Sequence, residues 1–162
     1  MDSNLSLGIG FKGQLALNAQ AVPMQEGYLK LGGIVDKSQT NGLVFGVVVS
    51  APADDPTAIV AGKGSGNVIR GISVFDDAIA QNALGHPGKY FAEMPCAFIA
   101  KGLVKMQSWE TGKDPVIGYK VQFADATGAI GFVASSADAS HTLLDGAKVV
   151  EVTDDGAYVW LG

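Results

Sequence analysis

Few residues in this chain could do chemistry. His86, His141 and Cys96 are the two histidines and the single cysteine, and no short spacing joins them. Zinc wants three or four ligands, normally with some of them close together in sequence, so these residues do not read as a metal site. His86, between Gly85 and Pro87, reads as a solvated turn residue. Cys96 lies in an apolar stretch, where a free thiol behaves as a small core hydrophobe, and with no second cysteine no intrachain disulfide can form. A nucleophilic serine announces itself by a Gly-x-Ser-x-Gly elbow, and that pattern is missing.

Two glycine-rich stretches resemble nucleotide loops in spelling only. Gly8-Ile-Gly-Phe-Lys-Gly13 matches the dinucleotide fingerprint, but that motif works only after a strand and at the start of a helix. Pro23 interrupts the candidate helix, and no βα alternation follows, so the stretch reads as part of a flexible arm. Gly62-Lys-Gly-Ser-Gly66 lacks the Walker spacing and reads as a mobile loop tip. The acidic pairs Asp54-Asp55, Asp76-Asp77 and Asp154-Asp155 sit at expected turns, where carboxylates accept local backbone hydrogen bonds. None has the alternating oxygen ligands of a calcium loop. The sequence therefore offers no catalytic, cofactor-binding or metal-binding residue.

The elements that carry these residues are short strands. Twenty-two glycines punctuate 162 residues, and the segments between them are rich in Val, Ile, Phe and Ala. Asn41-Gly42 predicts a type I′ hairpin joining 28–36 to Leu43-Val-Phe-Gly-Val-Val-Val-Ser50, with Gly46 marking a bulge or a close backbone approach. A strand over 68–75 runs into a short helix over 76–84, capped by Asp76 or Asp77, with Phe75 and Ile79 on one face. One or two strands fill 90–106. A half-buried strand is expected over 116–123, with Ile117, Tyr119, Val121 and Phe123 on one face, and a short apolar run follows at 130–134. The chain closes on a hairpin, 147–153 with 157–161, turning at Asp154-Asp-Gly156. Tyr90, Phe91 and Trp109 lie near loops, as core rim or as contact surface. The fold class is mainly β, a compact antiparallel β-sandwich or barrel-like domain with one short helix. Residues 1–26 read as an N-terminal arm that orders against a partner, and 27–162 as the β-rich domain.

Composition narrows the partners. Only 17% of residues are charged, below the usual quarter, while 48% are apolar, which calls for another chain to cover part of the surface. A net charge of −5 argues against nucleic acid and against an anionic membrane. No apolar window is long enough to span a bilayer, and the N-terminus lacks the basic-then-apolar pattern of a signal peptide.

The order of motifs resembles the structural cement, or capsid decoration, proteins of tailed bacteriophages. The resemblance lies in the Phe45-Gly46 pair within an early strand and in Gly71-Ile-Ser73 running into an acidic turn and Ala80-Gln-Asn82. It continues in Tyr90 leading to a strand with Lys101-Gly102, and in the Ala- and Gly-rich closing strands 128–161. It covers about 27–162. After Lys101-Gly102 the chain departs from the family's usual aromatic or Trp-Val pair, with Leu103-Val104 in that place. The resemblance implies a non-enzymatic virion protein without cofactor, made in the host cytoplasm. It further implies a homotrimer that binds the major capsid protein on the outer capsid surface and stabilises the head. The alternative is another β-rich phage component of tail, baseplate or fibre, binding carbohydrate through Tyr90, Phe91 and Trp109. A small trimeric β enzyme would need a cleft gathering Asp, His and Lys from separate turns.

Overall fold

The computed structural model describes residues 21–23, 29–76, 79 and 89–162. Its elements in chain order are β1 (Ala21–Pro23), β2 (Leu29–Val35), β3 (Leu43–Val44), β4 (Val48–Ala51), β5 (Ala58–Ala61) and β6 (Val68–Ser73). They continue with β7 (Lys89–Tyr90), β8 (Pro95–Met106), β9 (Lys120–Ala124), β10 (Ile130–Val133), β11 (His141–Thr153) and β12 (Gly156–Leu161). Every regular element among the described residues is a strand, so the fold is mainly β. The short helix expected over 76–84 falls on a segment of which only Asp76 and Ile79 are described. Those two are joined by the Ile79 N–H donating to the Asp76 carbonyl (3.2 Å).

The strands β8-β2-β5-β4-β6 pair in a ring that closes where β6 returns to β8 through Ile72↔Ile99 and Ser73↔Phe98. All neighbours in this barrel are antiparallel except β2 and β5. A second layer grows from the far half of β8, in the order β8-β12-β11-β9-β10, with β1 on the other edge of that half. β8 is long enough to serve both layers. Its first half takes β2 and β6, and its second half takes β12 and β1.

The period of two along a strand explains why so many apolar residues are needed. On β8, Cys96 and Phe98 join the cluster inside the barrel, together with Val35, Val49, Ala51 and Ile59. Ala97 and Ile99 point the other way, into a larger cluster with Val121, Phe123, Ile130, Phe132 and Val159. β4 does the same, with Val49 and Ala51 facing one core and Val48 the other. A barrel wall buried on both faces cannot alternate apolar with polar, hence the continuous run Val47-Val-Val49.

Two pairings differ from the expectation. Leu43–Ser50 is not one strand and does not pair with β2. Leu43–Val44 pairs with β7, Val48–Ala51 pairs with β5 and β6, and β2 pairs with β5 and β8. Gly46 divides the run, its N–H donating to the Ser73 carbonyl (2.8 Å). A type I′ turn needs positive φ at both central residues, and here Gly42 has φ 82° while Asn41 is not in that region. The other shift is at 116–123, where the strand starts only at Lys120. Val116 to Tyr119 form a turn closed by the Tyr119 N–H on the Val116 carbonyl (2.9 Å), which leaves Ile117 exposed. The C-terminal hairpin is present as expected, with a bulge between Val149 and Glu151.

Gly71, at the barrel's closing seam, has φ 152°, a backbone conformation essentially reserved for glycine. A Cβ there would fall on the Ile99 carbonyl, so the two strands approach as closely as they do only because the side chain is absent.

Candidate functional site

The residues with chemical potential are built into the scaffold. Cys96 is buried in the barrel, and burial pushes its thiol up to about 12. It is a core side chain and not a nucleophile. His141 opens β11 with both ring nitrogens on acceptors: Nδ1 faces the Ala139 carbonyl (2.7 Å) and Nε2 faces the Glu110 carboxylate (2.9 Å). The carbonyl, and after it the carboxylate, favour the charged ring and raise its pKa above the usual histidine value. Beside it, Asp138 pairs with Lys113 (2.6 Å) and accepts from the amide of the fully buried Gln122 (2.7 Å). This network pins the β8–β9 connection to β9 and β11. It presents no hydroxyl or thiol to the histidine. His86 lies outside the described residues.

The acidic turn residues do turn chemistry. Asp55 accepts from the Thr57 N–H and hydroxyl, and Asp155 accepts from the Thr153 hydroxyl (2.7 Å). Asp76 pairs with Lys30 (2.8 Å). Among the described residues, no three His, Cys, Asp or Glu side chains converge as a metal site would require. The Gly62 loop is fastened at its start, where the Gly62 N–H donates to Val48 and the Lys63 N–H to Asp125 (both 2.8 Å).

Lys105 carried no signal in the sequence beyond being a charge inside the apolar run 103–106. It is fully buried on β8 and pairs with Asp155 in the β11–β12 turn (2.7 Å). A buried ammonium needs a partner, and this one fixes the hairpin tip to the long strand.

The aromatic residues do not form an open platform. Tyr90 is wholly buried and donates its hydroxyl to the Val74 carbonyl (2.5 Å). Trp109 packs edge-on to Phe132 (centroids 5.8 Å apart) and donates its indole N–H to Asp114 (3.0 Å). Phe91 is half-buried under Lys89. Sugar stacking needs aromatic faces open to solvent, and two of the three are committed to packing.

What the surface does expose is aliphatic. Ile34, 44% exposed, lines a hollow of about 340 Å³ rimmed by Asp36, Lys37, Asp55 and Glu93, and Met94, 42% exposed, follows Glu93 in the chain. Glu93 holds φ 63° there, with its N–H donating to the Val35 carbonyl (2.7 Å). At a second place Ile117 (66%) and Val116 (48%) lie beside Val150 (39%), because the Gly118 N–H donates to the Val149 carbonyl (2.8 Å). Beyond Val149, whose carbonyl and N–H bond to Gly118 and Tyr119, the outer edge of β11 has no ladder partner among the described residues, and Val152 sits on that stretch. Apolar clusters next to an open strand edge suit contact with another protein. Two further hollows, of about 300 and 310 Å³, flank Leu143–Asp145, and neither they nor the first gathers Asp, His and Lys together.

Comparison with known proteins supports a structural role. No curated protein sequence matches the chain. A family model described as structural cement protein (E217 gp24/Pam3 gp6) matches residues 2–162, nearly the whole chain. The chain belongs to this family of phage structural cement proteins.

Proposed function

We propose that this protein is a non-enzymatic cement of the phage head, binding the outer surface of the major capsid protein lattice as a homotrimer. The observation that carries the reading is the family match over 2–162, and the exposed aliphatic clusters supply surface for the contacts. Synthesis in the host cytoplasm precedes assembly onto the virion. The N-terminal arm, residues 1–26, reaches the capsid together with loops of the β-rich domain, 27–162. Sheet edges such as the outer side of β11 carry trimer contacts. A trimer engages several capsid sites at once, so individually modest contacts add through effective concentration. Bridging neighbouring capsid subunits raises the free energy of separating them against the pressure of a packaged genome.

The test is cosedimentation with empty shells, mature and expanded, followed by heat challenge with and without the protein. Saturable binding and a higher rupture temperature are expected. Failure to bind either shell form refutes the capsid role, and a monomer at micromolar concentration by light scattering refutes a preformed trimer.

A further inference from the structure

The sheet forks at Gly71. Before it, β6 runs as Val68–Arg70 against β4 alone, and its β8-facing edge has no ladder partner among the described residues. β8 meanwhile passes Ala100 and turns to β12, whose last pair is Leu161↔Gly102. β11 loses regular pairing with β9 between Leu143 and Lys148. The fork between these strands is a hollow of about 300 Å³ with Ile69, Leu143, Leu144 and Leu161 as its apolar lining and Arg70, Asp145 and the terminal carboxylate of Gly162 as its charged groups. That size falls at the lower end of ligand-binding clefts.

Arg70 is the unusual member. Its guanidinium lies over the Phe98 ring (5.7 Å), and its Nε is enclosed with no hydrogen-bond partner among the described residues. Buried polar atoms are nearly always paired, so an orphaned donor in a cleft wall asks for an acceptor from outside. The adjoining hollow shares Leu143, Leu144 and Asp145 and adds Lys120 and Lys148. Those lysines are exposed and directly opposite each other across β9 and β11. Like charges in that position repel, and an anion between them relieves the repulsion. The two linings together set Arg70, Lys120 and Lys148 against Asp145 and the terminal carboxylate of Gly162, a net positive balance in a chain whose net charge is −5.

We infer that the fork is a docking site for an extended acidic peptide segment of a partner protein. Its backbone adds to the open β6 edge, its apolar side chains sit on Leu143, Leu144 and Leu161, and its carboxylates meet Arg70 and the Lys120–Lys148 pair. Strand addition supplies affinity through backbone hydrogen bonds, and the cations supply selectivity for acidic over neutral segments. The capsid reading lends this inference only the identity of the partner, a segment of the major capsid protein.

The experiment is a ¹⁵N amide titration of the free full chain with Ac-Leu-Val-Glu-Val-Glu-Leu-NH₂ and with its Gln-for-Glu analogue. Saturable shifts are expected at Gly71, Ala100, Leu144 and Gly162, with the Gln analogue at least tenfold weaker. Arg70→Gln should bring the acidic peptide down to the level of that analogue. Lys120→Gln/Lys148→Gln, on exposed positions, should weaken it several-fold, and this variant carries the test if Arg70→Gln does not fold. Absence of saturable shifts at millimolar peptide, or equal binding of both peptides, overturns the inference. So do the same shifts appearing with protein concentration alone, which would give the fork to a second copy. No capsid is present, so a silent titration leaves cosedimentation standing, and failed cosedimentation leaves the fork standing.

Discussion

Replacing Gly71 by alanine tests whether the barrel closes by backbone approach. Two costs act together. The φ of 152° is a conformation that residues with a Cβ hold only at about 1–3 kcal/mol. The new methyl also meets the Ile99 carbonyl, which is backbone and cannot rotate away, so β6 and β8 must separate at about 1–3 kcal/mol more. Alanine restricts the unfolded chain and returns about 0.4–1 kcal/mol. The net expectation is about 3 kcal/mol. With a urea slope of about 2 kcal/mol per molar, the midpoint falls by about 1.5 M. Gly112→Ala is the control, since Gly112 has φ 79° but nothing near its Cβ position. It should lose only about 1 kcal/mol, the cost of the left-handed conformation less the same return from the unfolded chain. Matched urea titrations of wild type, Gly71→Ala and Gly112→Ala decide the matter. If Gly71→Ala loses no more than Gly112→Ala, close strand approach does not hold the seam and the reasoning fails.

Phe75 packs edge-on to Phe45 (centroids 5.7 Å apart) but is only partly buried, so Phe75→Ala should cost about 2–3 kcal/mol, below the range of a fully buried ring. An unchanged melting midpoint would show that the contact is incidental. The raised pKa of His141 means that its contribution to stability is full below the unfolded histidine value near 6.5 and fades as pH rises through the folded value. Glu110→Gln should therefore narrow the stability difference between pH 5.5 and 8.5, and an unchanged pH profile would remove the ion pair from the account. Cys96, buried and with its thiol pushed up to about 12, should resist a thiol reagent at pH 8 until denaturant is added. Rapid labelling of the native protein would contradict its place in the barrel core.

The parts of the fold legible in the sequence are those fixed by local rules. The closing hairpin announced itself through Asp154-Asp-Gly156 between two apolar runs, and the structure turns there. The mainly β class followed from glycine spacing. The barrel was hidden because its closing pairs, such as Ile72↔Ile99 and the parallel Ile34↔Ala58, join segments with no turn between them to betray the pairing. Asn41-Gly42 misled because a turn dipeptide specifies a bend and not the partner of the strand that follows. Ile117 fitted an alternating pattern by residue type, yet the turn at 116–119 puts it in solvent. The contact surface was legible only as a shortage of charge. Lys105 and Arg70 acquire meaning from what surrounds them in three dimensions, and single-chain spacing carries none of that.

The sharing of β8 has a consequence for how the molecule comes apart. Its first half is a stave of the barrel and its second half is the spine of the outer layer, with ladder neighbours on both edges at Phe98–Ile99 and again at Val104–Met106. Neither layer can shed its partner without tearing this strand from the other, so the two melt as one cooperative unit with no detachable module. The amides of Phe98, Ile99 and Val104 to Met106 should then exchange with deuterated solvent only when the whole protein unfolds. A body with that property yields to load all at once or not at all, which suits a rivet better than a spring.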